Sequence, residues 1–365
     1  MRTPDYDAIR NGAGLLPRPD RGLLLVGGAD RTAWLQGLLT NDIAALRPAE
    51  GCYAAYLTPQ GRMISDLRVL NVGAVDLLDV PASACASLLE RFERFIITEE
   101  VTVLDWSDRL CRFSLHGPAA PGTLAEALPQ GLARPGGVRV SAAHLAGLAE
   151  HASILVPEPP PRGAGPSDFD VPPGCVLVVG TREAGVPGFD LFVGHADESR
   201  VRDALVSHGA GLVDADTWNT VRIEAGTLVW GVDLDEETIP LEAGIEDRAI
   251  SFTKGCYVGQ EVIVRVRDRG HGRVARRLVG LATAAGGHPP AVLPGDQLRA
   301  GDKVVGHLTS TAFSPLLGRT IALGYLQRDF SEPGTGVDAI RGASVVALAV
   351  VPTPFLRTDN TEPLS

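Results

Sequence analysis

The sequence predicts an α+β protein in which a long region of mixed strands and helices precedes a small C-terminal β-barrel. Up to about residue 275, runs that alternate with a period of two are mixed with segments whose apolar residues recur at helical spacing. From about Arg277, short apolar runs are separated only by glycine-rich turns, a pattern typical of a barrel or sandwich. The 365 residues are enough for two or three domains, and 45% of them are hydrophobic, which can supply the cores.

The individual elements follow from these periodicities. Strands are predicted at 23–26, 53–57, 63–70, 100–105, from 111 onward, and at 175–180 and 189–193, which look paired. Helices are predicted at 30–39, 87–96, 123–128, 198–208 and 214–225. Asp30 suits the N-cap of the first helix, and Gly226 suits the C-terminal cap of the last. Residues 58–61 (TPQG) place Pro second and Gly fourth, which indicates a hairpin turn between two strands.

These elements define the predicted domain boundaries. A mixed α+β region is placed at 15–275, the barrel at 276–352 and a loose tail at 353–365. Barrel strands are expected at 278–282, 303–309, 322–326 and 344–350. Residues 157–174 hold seven prolines and are interpreted as a loop or an insertion.

Composition excludes several classes of protein. The net charge of −11 argues against broad affinity for nucleic acid or anionic membrane. No apolar run approaches the roughly 20 residues that span a bilayer, and the N-terminus has no signal-peptide pattern. The five cysteines have no zinc-finger spacing and the eight histidines no metal-ligand spacing, so no metal site is predicted. We expect reduced thiols in a cytoplasmic protein.

Residues 254–261 (KGCYVGQE) are the most unusual stretch for chemistry. They place Lys254, Cys256, Tyr257 and Gln260 among glycines that suggest a tight backbone path or a close ligand. Lys254 could favour a reactive Cys256 thiolate. The alternative is a glycine-kinked strand entry with an inert, buried cysteine.

Charge is segregated around this segment. Residues 231–247 hold seven acidic and no basic residues, whereas residues 262–280 hold six arginines and one acid. The alternation of Val and Arg at 264–267 predicts a strand with Arg265 and Arg267 on one face, where they could bind carboxylates or phosphates. The alternative is that the two blocks neutralise each other on the surface.

Two carboxylates are further candidates. Asp66 lies inside the 63–70 strand on a face with Ile64, Arg68 and Leu70, so it is either a perturbed acid or an exposed partner of Arg68. Glu224 lies at the C-terminal end of the 214–225 helix, against the helix dipole, which suggests a cationic partner or another duty.

Residues 254–261 resemble the signature K-G-C-[YF]-x-G-Q-E of the YgfZ family, folate-binding proteins linked to iron–sulfur enzyme maintenance. Blocks similar to the family's others occur in the same order, so the resemblance covers roughly residues 20–355: 34–42 (WLQGLLTND), 61–66 (GRMISD), 222–226 (RIEAG), 238–243 (TIPLEA) and 305–312 (VGHLTSTA). The family is similar in fold to the glycine-cleavage T-protein, an aminomethyltransferase that uses tetrahydrofolate. The resemblance implies a T-protein-like three-domain arrangement, with two interleaved subdomains around a folate channel and a C-terminal β-barrel.

The resemblance also implies roles for residues. Asp66 matches the acid that faces the reactive nitrogens of folate, and Glu224 matches the acid of R-x-E-A-G, suited to the pterin edge. Arg222, Lys254, Tyr257 and Gln260 lie in the same matched blocks and are placed at the cofactor site. Arg265 is assigned to the glutamate tail of folate from its charge alone.

Two functions follow as expectations. The first is a tetrahydrofolate-binding protein that supports assembly or repair of iron–sulfur enzymes, with Cys256 as a reactive thiol and a possible transient cluster ligand; its partners would be client enzymes or assembly proteins. The alternative is a folate-dependent aminomethyltransferase or related one-carbon transferase, in which Asp66 assists proton movement. A nucleic-acid partner is disfavoured by the net charge.

Overall fold

The computed structural model describes residues 2–128, 140–154, 176–270, 272–284 and 292–356, so the proline-rich segment 157–174 lies outside the described residues. The helices are α1 (Pro4–Asn11), α2 (Arg31–Leu38), α3 (Ala82–Glu93), α4 (Ala120–Ala127), α5 (Ala142–Ala146), α6 (Glu198–Ser207), α7 (Ala215–Glu224), α8 (Pro240–Ala243), α9 (Glu246–Ala249) and α10 (Gln260–Val264). The strands are β1 (Ala13–Pro17), β2 (Arg21–Gly27), β3 (Gly51–Leu57), β4 (Met63–Asn71), β5 (Asp76–Pro81), β6 (Thr102–Asp105), β7 (Leu110–His116), β8 (Ser153–Ile154), β9 (Val176–Thr181), β10 (Gly188–Gly194), β11 (Ala210–Leu212), β12 (Arg276–Ala282), β13 (Gln297–Ala300), β14 (Lys303–Ser314), β15 (Arg319–Gln327), β16 (Gly336–Arg341) and β17 (Ser344–Val351). No helix among these residues is long and apolar enough to cross a bilayer.

The strands form two open sheets and a closed barrel. The N-terminal sheet has the order β3-β4-β5-β2-β6, and the central sheet has the order β11-β1-β7-β10-β9-β8. Because β1 pairs with β7 and β11, the first strand of the chain belongs to the central sheet, and the whole N-terminal sheet is inserted after it. This is the interleaved arrangement that the resemblance implies.

The two open sheets pack face to face. Leu23, Leu25 and Leu77 of the N-terminal sheet are buried in one cluster with Leu177 and Phe192 of the central sheet. Helices α2 and α3 cover the other face of the N-terminal sheet, and α4, α5 and α6 cover the other face of the central sheet. Each sheet is therefore buried on both faces, which explains why every residue of β5 is buried.

The C-terminal barrel closes in the order β12-β15-β14-β13-β16-β17. Its interior is filled by aliphatic side chains, among them Leu281, Leu298 and Leu308. Helix α7 packs on the outside of the barrel, where Ile223 joins Leu323 and Phe355 in a separate buried cluster. The predicted fold, two α/β domains with a C-terminal barrel, is thus confirmed.

Two local expectations are corrected. Residues 264–267 do not form a strand: α10 ends at Val264 and continues as a π-helical turn, Arg265–Arg269, because Ile263 and Val266 both pack into the core beside β3 and β4. The start of the expected tail is also ordered, since Phe355 is buried and its N–H donates to the Glu224 carbonyl at 2.9 Å. Residues 357–365 lie outside the described residues.

Candidate functional site

A cavity of about 390 Å³ lies where β3 and β4 meet the β1–β2 connection, helix α7 and the loop after it. Its lining combines arginines, carboxylates and aromatic rings. The lining residues are Arg18, Asp20, Arg21, Tyr53, Asp66, Arg68, Pro81, Ala82, Ser83, Glu150, His151, Glu183, Trp218, Arg222, Thr227, Leu228, Val229, Trp230 and Arg248. Such a concave mixture of apolar walls and a few polar groups is typical of a small-molecule site.

Asp66 is a buried carboxylate in the wall of this cavity. It is only 6% exposed. The Tyr53 hydroxyl donates to its Oδ2 at 3.1 Å, and Oδ1 has no hydrogen-bond partner among the described residues. Burial raises the pKa of Asp66, and the Arg21 guanidinium opposes the rise only in part. Asp66 is therefore a buried acid with a free acceptor, and the expected exposed pair with Arg68 does not form.

Arg68 instead belongs to an arginine–carboxylate cluster beneath the cavity, which we define as Arg18, Arg21, Arg68, Arg112, Asp79, Glu183 and Asp190. Arg68 Nη1 lies 2.7 Å from Asp190, and Arg112 Nη1 lies 2.7 Å from Asp79. Burial alone would raise the pKa of Asp79, but the adjoining arginines outweigh it and hold that pKa well below its usual range. The acids of the cluster thus stay ionised and, together with Asp20, which lies 2.9 Å from Arg18, balance the charge of its four arginines.

Two arginines of the cavity, Arg248 and Arg222, are outside this cluster. Arg248 is exposed, and its guanidinium lies 5.0 Å from the centre of the Tyr53 ring. Within the described ranges no carboxylate lies at ion-pair distance from Arg248, so its two-pronged donor is available to a ligand. Arg222 also lines the cavity, but it forms a buried pair with Asp233 at 2.5 Å. Ser310 of β14 contacts both groups and so links α7 to the barrel.

Three aromatic side chains complete the walls. Tyr53, Trp218 and Trp230 all line the cavity, and Trp218 stacks on the buried His116 ring with centroids 5.1 Å apart. His151 on the opposite wall is held neutral, since burial and the nearby Arg68 lower its pKa to about 3. In the described part of the chain, the cavity therefore offers flat apolar faces beside the buried Asp66 carboxyl and the unpaired Arg248 guanidinium.

Residues 254–261 lie next to this site but do not line it. The Lys254 ammonium donates to the carbonyls of Gln36, Leu39 and Asn41, each at 2.7 Å, and so caps the C-terminal end of α2. These three bonds use every N–H of the ammonium, which is committed to α2 rather than to Cys256. Cys256 itself is exposed, contrary to the interpretation as an inert, buried cysteine.

The same segment is docked on the hairpin that leads into Asp66. Gly259 has φ +84°, and a Cβ there would lie 2.5 Å from the Thr58 carbonyl. Gly61 has φ +76°, and a Cβ there would lie 2.9 Å from Val262. Glycine is thus required on both sides of the contact between residues 254–261 and the hairpin turn.

Glu224 and Arg265, both assigned to the cofactor, lie away from the cavity wall. Glu224 is fully buried, and its carboxylate accepts hydrogen bonds from Tyr6 at 2.8 and 2.9 Å, from Arg10 and from Ser314. It therefore joins α1, α7 and the barrel, and it does not line the cavity. Arg265 is exposed on the π-helical turn, where it lines a shallow depression with Glu261 and Arg269.

Tyr257 and Gln260 are likewise outside the cavity. Tyr257 is buried with Ile263, and its hydroxyl has no hydrogen-bond partner in the described part of the chain. Gln260 begins α10, half-buried. Of the assigned residues, the structure therefore brings Asp66 and Arg222 to the cavity.

The sequence-based assignment missed Tyr53, Trp218, Trp230 and Arg248. Their common signal is weak, but two of the four tryptophans of the chain occur within thirteen positions of each other on either side of Glu224. Arg248 also interrupts an otherwise acidic stretch.

Comparisons with known proteins agree with this architecture. The model of the GCVT N-terminal domain matches residues 3–136, and that of the glycine cleavage T-protein C-terminal barrel domain matches residues 276–356. An aminomethyltransferase of Streptomyces coelicolor is 30% identical over 362 residues, which cover 97% of this chain and 89% of that protein. This chain belongs to the glycine cleavage T-protein family.

Other members of the T-protein family are similar over the same length. An aminomethyltransferase of Rubrobacter xylanophilus is 29% identical over 361 residues, which cover 98% of this chain and 87% of that protein. The crystal structure of glycine cleavage system aminomethyltransferase T from Bartonella henselae superposes with a TM-score of 0.80 at 20% identity, over 97% of this chain and 89% of that one. These relatives favour the aminomethyltransferase expectation over the iron–sulfur one.

Proposed function

We propose that this protein binds tetrahydrofolate in the Asp66 cavity and acts as a folate-dependent one-carbon transferase of the aminomethyltransferase type. The observation that carries the proposal is the buried Asp66 carboxyl, with one unpartnered oxygen, in the wall of an aromatic-lined cavity. The names of the T-protein relatives supply the reaction class.

The chemistry of the cavity wall suits tetrahydrofolate. Trp218, Trp230 and Tyr53 offer flat faces on which a bicyclic pterin can lie. Arg248, free of an acidic partner among the described residues, suits a carboxylate of the glutamate tail. This assignment replaces Arg265, which is outside the cavity.

Asp66 provides the proton chemistry. Bound tetrahydrofolate supplies the nitrogens that carry the one-carbon unit. Burial raises the pKa of Asp66, which makes its carboxyl a better proton acceptor than an exposed aspartate. The Tyr53 hydroxyl holds Oδ2, and Oδ1, which has no partner among the described residues, would be available to a proton of the bound ligand.

Calorimetric titration with tetrahydrofolate tests the proposal. Arg248→Ala should weaken binding of tetrahydrofolate by about 10–100-fold, as loss of a charge-assisted hydrogen bond costs roughly 1.5–3 kcal/mol. It should leave binding of a tetrahydropterin that lacks the glutamate tail unchanged. Arg265→Ala, an exposed arginine outside the cavity, is the matched control and should bind both ligands as the wild type does. Absence of tetrahydrofolate binding to the wild type refutes the proposal.

A second candidate function rests on a different observation. Cys256 is an exposed thiol on a segment anchored by Lys254 and docked against the hairpin before Asp66. Together with the YgfZ-like signature, this supports a folate-binding factor that maintains iron–sulfur enzymes through that thiol. A single thiolate provides one of the four ligands that a cluster usually has, so a client or assembly protein would supply the others.

Two substitutions separate the candidates. For the transferase, Asp66→Asn abolishes tetrahydrofolate-dependent aminomethyl transfer, and Cys256→Ala leaves it intact. For the maintenance factor, Cys256→Ala removes support of iron–sulfur enzyme activity in cells that lack the native protein. Full support by Cys256→Ala excludes the maintenance role.

A further inference from the structure

A second cavity, of about 490 Å³, opens beyond Arg18 and Arg21 on the side away from Asp66. Cys111, His195 and Glu198 lie together in its wall. None of these residues takes part in the proposed folate chemistry.

The strand pairing explains how these three side chains meet. Cys111 of β7 lies opposite Val193 of β10, two residues before His195. After Gly194 the chain turns through a 3₁₀ turn, His195–Asp197, into the first residue of α6, Glu198. Residues three apart on a helical turn share a face, so His195 and Glu198 both stand over the Cys111 strand.

The distances suit a divalent cation. The thiol sulfur, one imidazole nitrogen and one carboxylate oxygen all lie within 4.8 Å of one another, and His195 Nδ1 lies 3.7 Å from Glu198 Oε2. Ligand atoms of tetrahedral Zn²⁺ are separated by roughly 3.3–3.6 Å, from bond lengths of about 2.0–2.3 Å. Because the His195 and Glu198 side chains are about half exposed, they can rotate to close the remaining gap.

We propose that Cys111, His195 and Glu198 form a zinc site with three protein ligands and a fourth position open to the cavity. A thiolate, an imidazole and a carboxylate are the three ligand types that Zn²⁺ takes in proteins, and an open fourth position is typical of sites that bind water or a substrate atom. On binding, the Cys111 thiol gives up its hydrogen bond to the Val193 carbonyl, now 3.2 Å. Its proton passes to solvent as the zinc–sulfur bond forms.

The charges around the cavity allow a cation. Arg18 and Arg112 also line it, but both belong to the arginine–carboxylate cluster and are paired with acids. Asp105 and Asp108 lie on the same wall and add negative charge. A cation bound there would therefore face two arginines whose charges are already paired with acids.

Sequence inspection could not detect this site. His195 and Glu198 are three apart, whereas Cys111 lies in another strand, far away in the chain. Only the β7–β10 pairing brings the thiol to them.

Titration of the tag-free, reduced, chelator-treated full chain with Zn²⁺ in competition with a chromophoric chelator tests the proposal. We expect one equivalent bound, with affinity lowered about 100-fold or more in Cys111→Ser, His195→Ala and Glu198→Gln, because loss of a direct ligand exceeds the 10–100-fold effect of an outer partner. Cys256→Ala and His208→Ala, which change an exposed thiol and an exposed histidine at the other end of α6, should bind as the wild type does.

Co²⁺ provides a spectroscopic readout of the sulfur ligand. The wild type and Cys256→Ala should give a thiolate-to-cobalt charge-transfer band that Cys111→Ser lacks. His195 is exposed, so His195→Ala should keep the fold even if a Cys111 variant does not. The proposal is overturned if the wild type binds no Zn²⁺, if His195→Ala binds it as tightly as the wild type, or if the cobalt band depends on Cys256.

Discussion

Replacing Glu224 by Gln should destabilise the protein strongly without touching the ligand cavity. The carboxylate accepts hydrogen bonds from Tyr6, Arg10 and Ser314 and is fully buried. Glutamine keeps the shape but removes the charge, which leaves the Arg10 guanidinium, with a side chain only 6% exposed, without its counter-charge. Breaking a buried ion pair on one side costs about 3–5 kcal/mol.

Urea denaturation followed by tryptophan fluorescence measures this loss. With a denaturant slope of about 3 kcal/mol per molar, the midpoint should fall by about 1–1.7 M. Glu236→Gln is the matched control, because Glu236 is exposed and its loss should change the free energy of unfolding by less than about 0.5 kcal/mol. Arg10→Met combined with Glu224→Gln should cost less than the sum of the single changes, since the two groups contact each other.

Tetrahydrofolate binding by the same variant tests whether the role of Glu224 is structural. In buffer without urea, folded Glu224→Gln should bind tetrahydrofolate with wild-type affinity, because Glu224 does not line the cavity. A variant that unfolds at the wild-type midpoint but has lost tetrahydrofolate binding would show that Glu224 contacts the ligand and that its structural role is wrong.

Three further outcomes are expected. Tyr53→Phe removes a hydrogen bond that stabilises the Asp66 carboxylate, so the acidic limb of a pH–rate profile for one-carbon transfer should move to higher pH; an unchanged limb contradicts the role of Asp66 as base. Lys254→Met strips three carbonyls of their donor and should lower the free energy of unfolding by about 2 kcal/mol or more in urea, whereas Lys303→Met, at an exposed lysine, should change it by less than 1 kcal/mol. Cys256→Ala should remove a fast phase of thiol labelling by a maleimide and leave the urea midpoint unchanged; loss of stability would mean that the thiol is packed.

Local patterns predicted much of the secondary structure. The 58–61 turn joins β3 and β4, and Asp214 and Gly226 flank α7 at the two ends. At these positions the determining interactions are short-range, such as a capping side chain or a positive φ at glycine. The prediction of a strand at 264–267 was wrong. The alternation of Val and Arg fits a strand, but the packing of Ile263 and Val266 against the core favours a helical turn.

The candidate site was only partly predictable, for a physical reason. Asp66 could be found because an acid among apolar neighbours in a strand is itself a local signal. Tyr53, Trp218 and Arg248 come from a strand and two helices that meet only after the sheets, α7 and α9 have packed. The structural role of Glu224 could not be predicted from its own helix. Its partners Tyr6 and Ser314 lie in α1 and in the barrel, far away in the sequence.

The interleaving of the chain also sets an order of events during synthesis. Strand β1 leaves the ribosome first, yet its two neighbours, β7 and β11, follow only after the whole N-terminal sheet has been made. At a synthesis rate of about 5–20 residues per second, β7 is completed roughly 5–20 s after β1. The contiguous N-terminal sheet can form in that interval, whereas the central sheet cannot. A fragment cut after β6 therefore carries an orphaned first strand, because both of its partners, β7 and β11, lie beyond the cut.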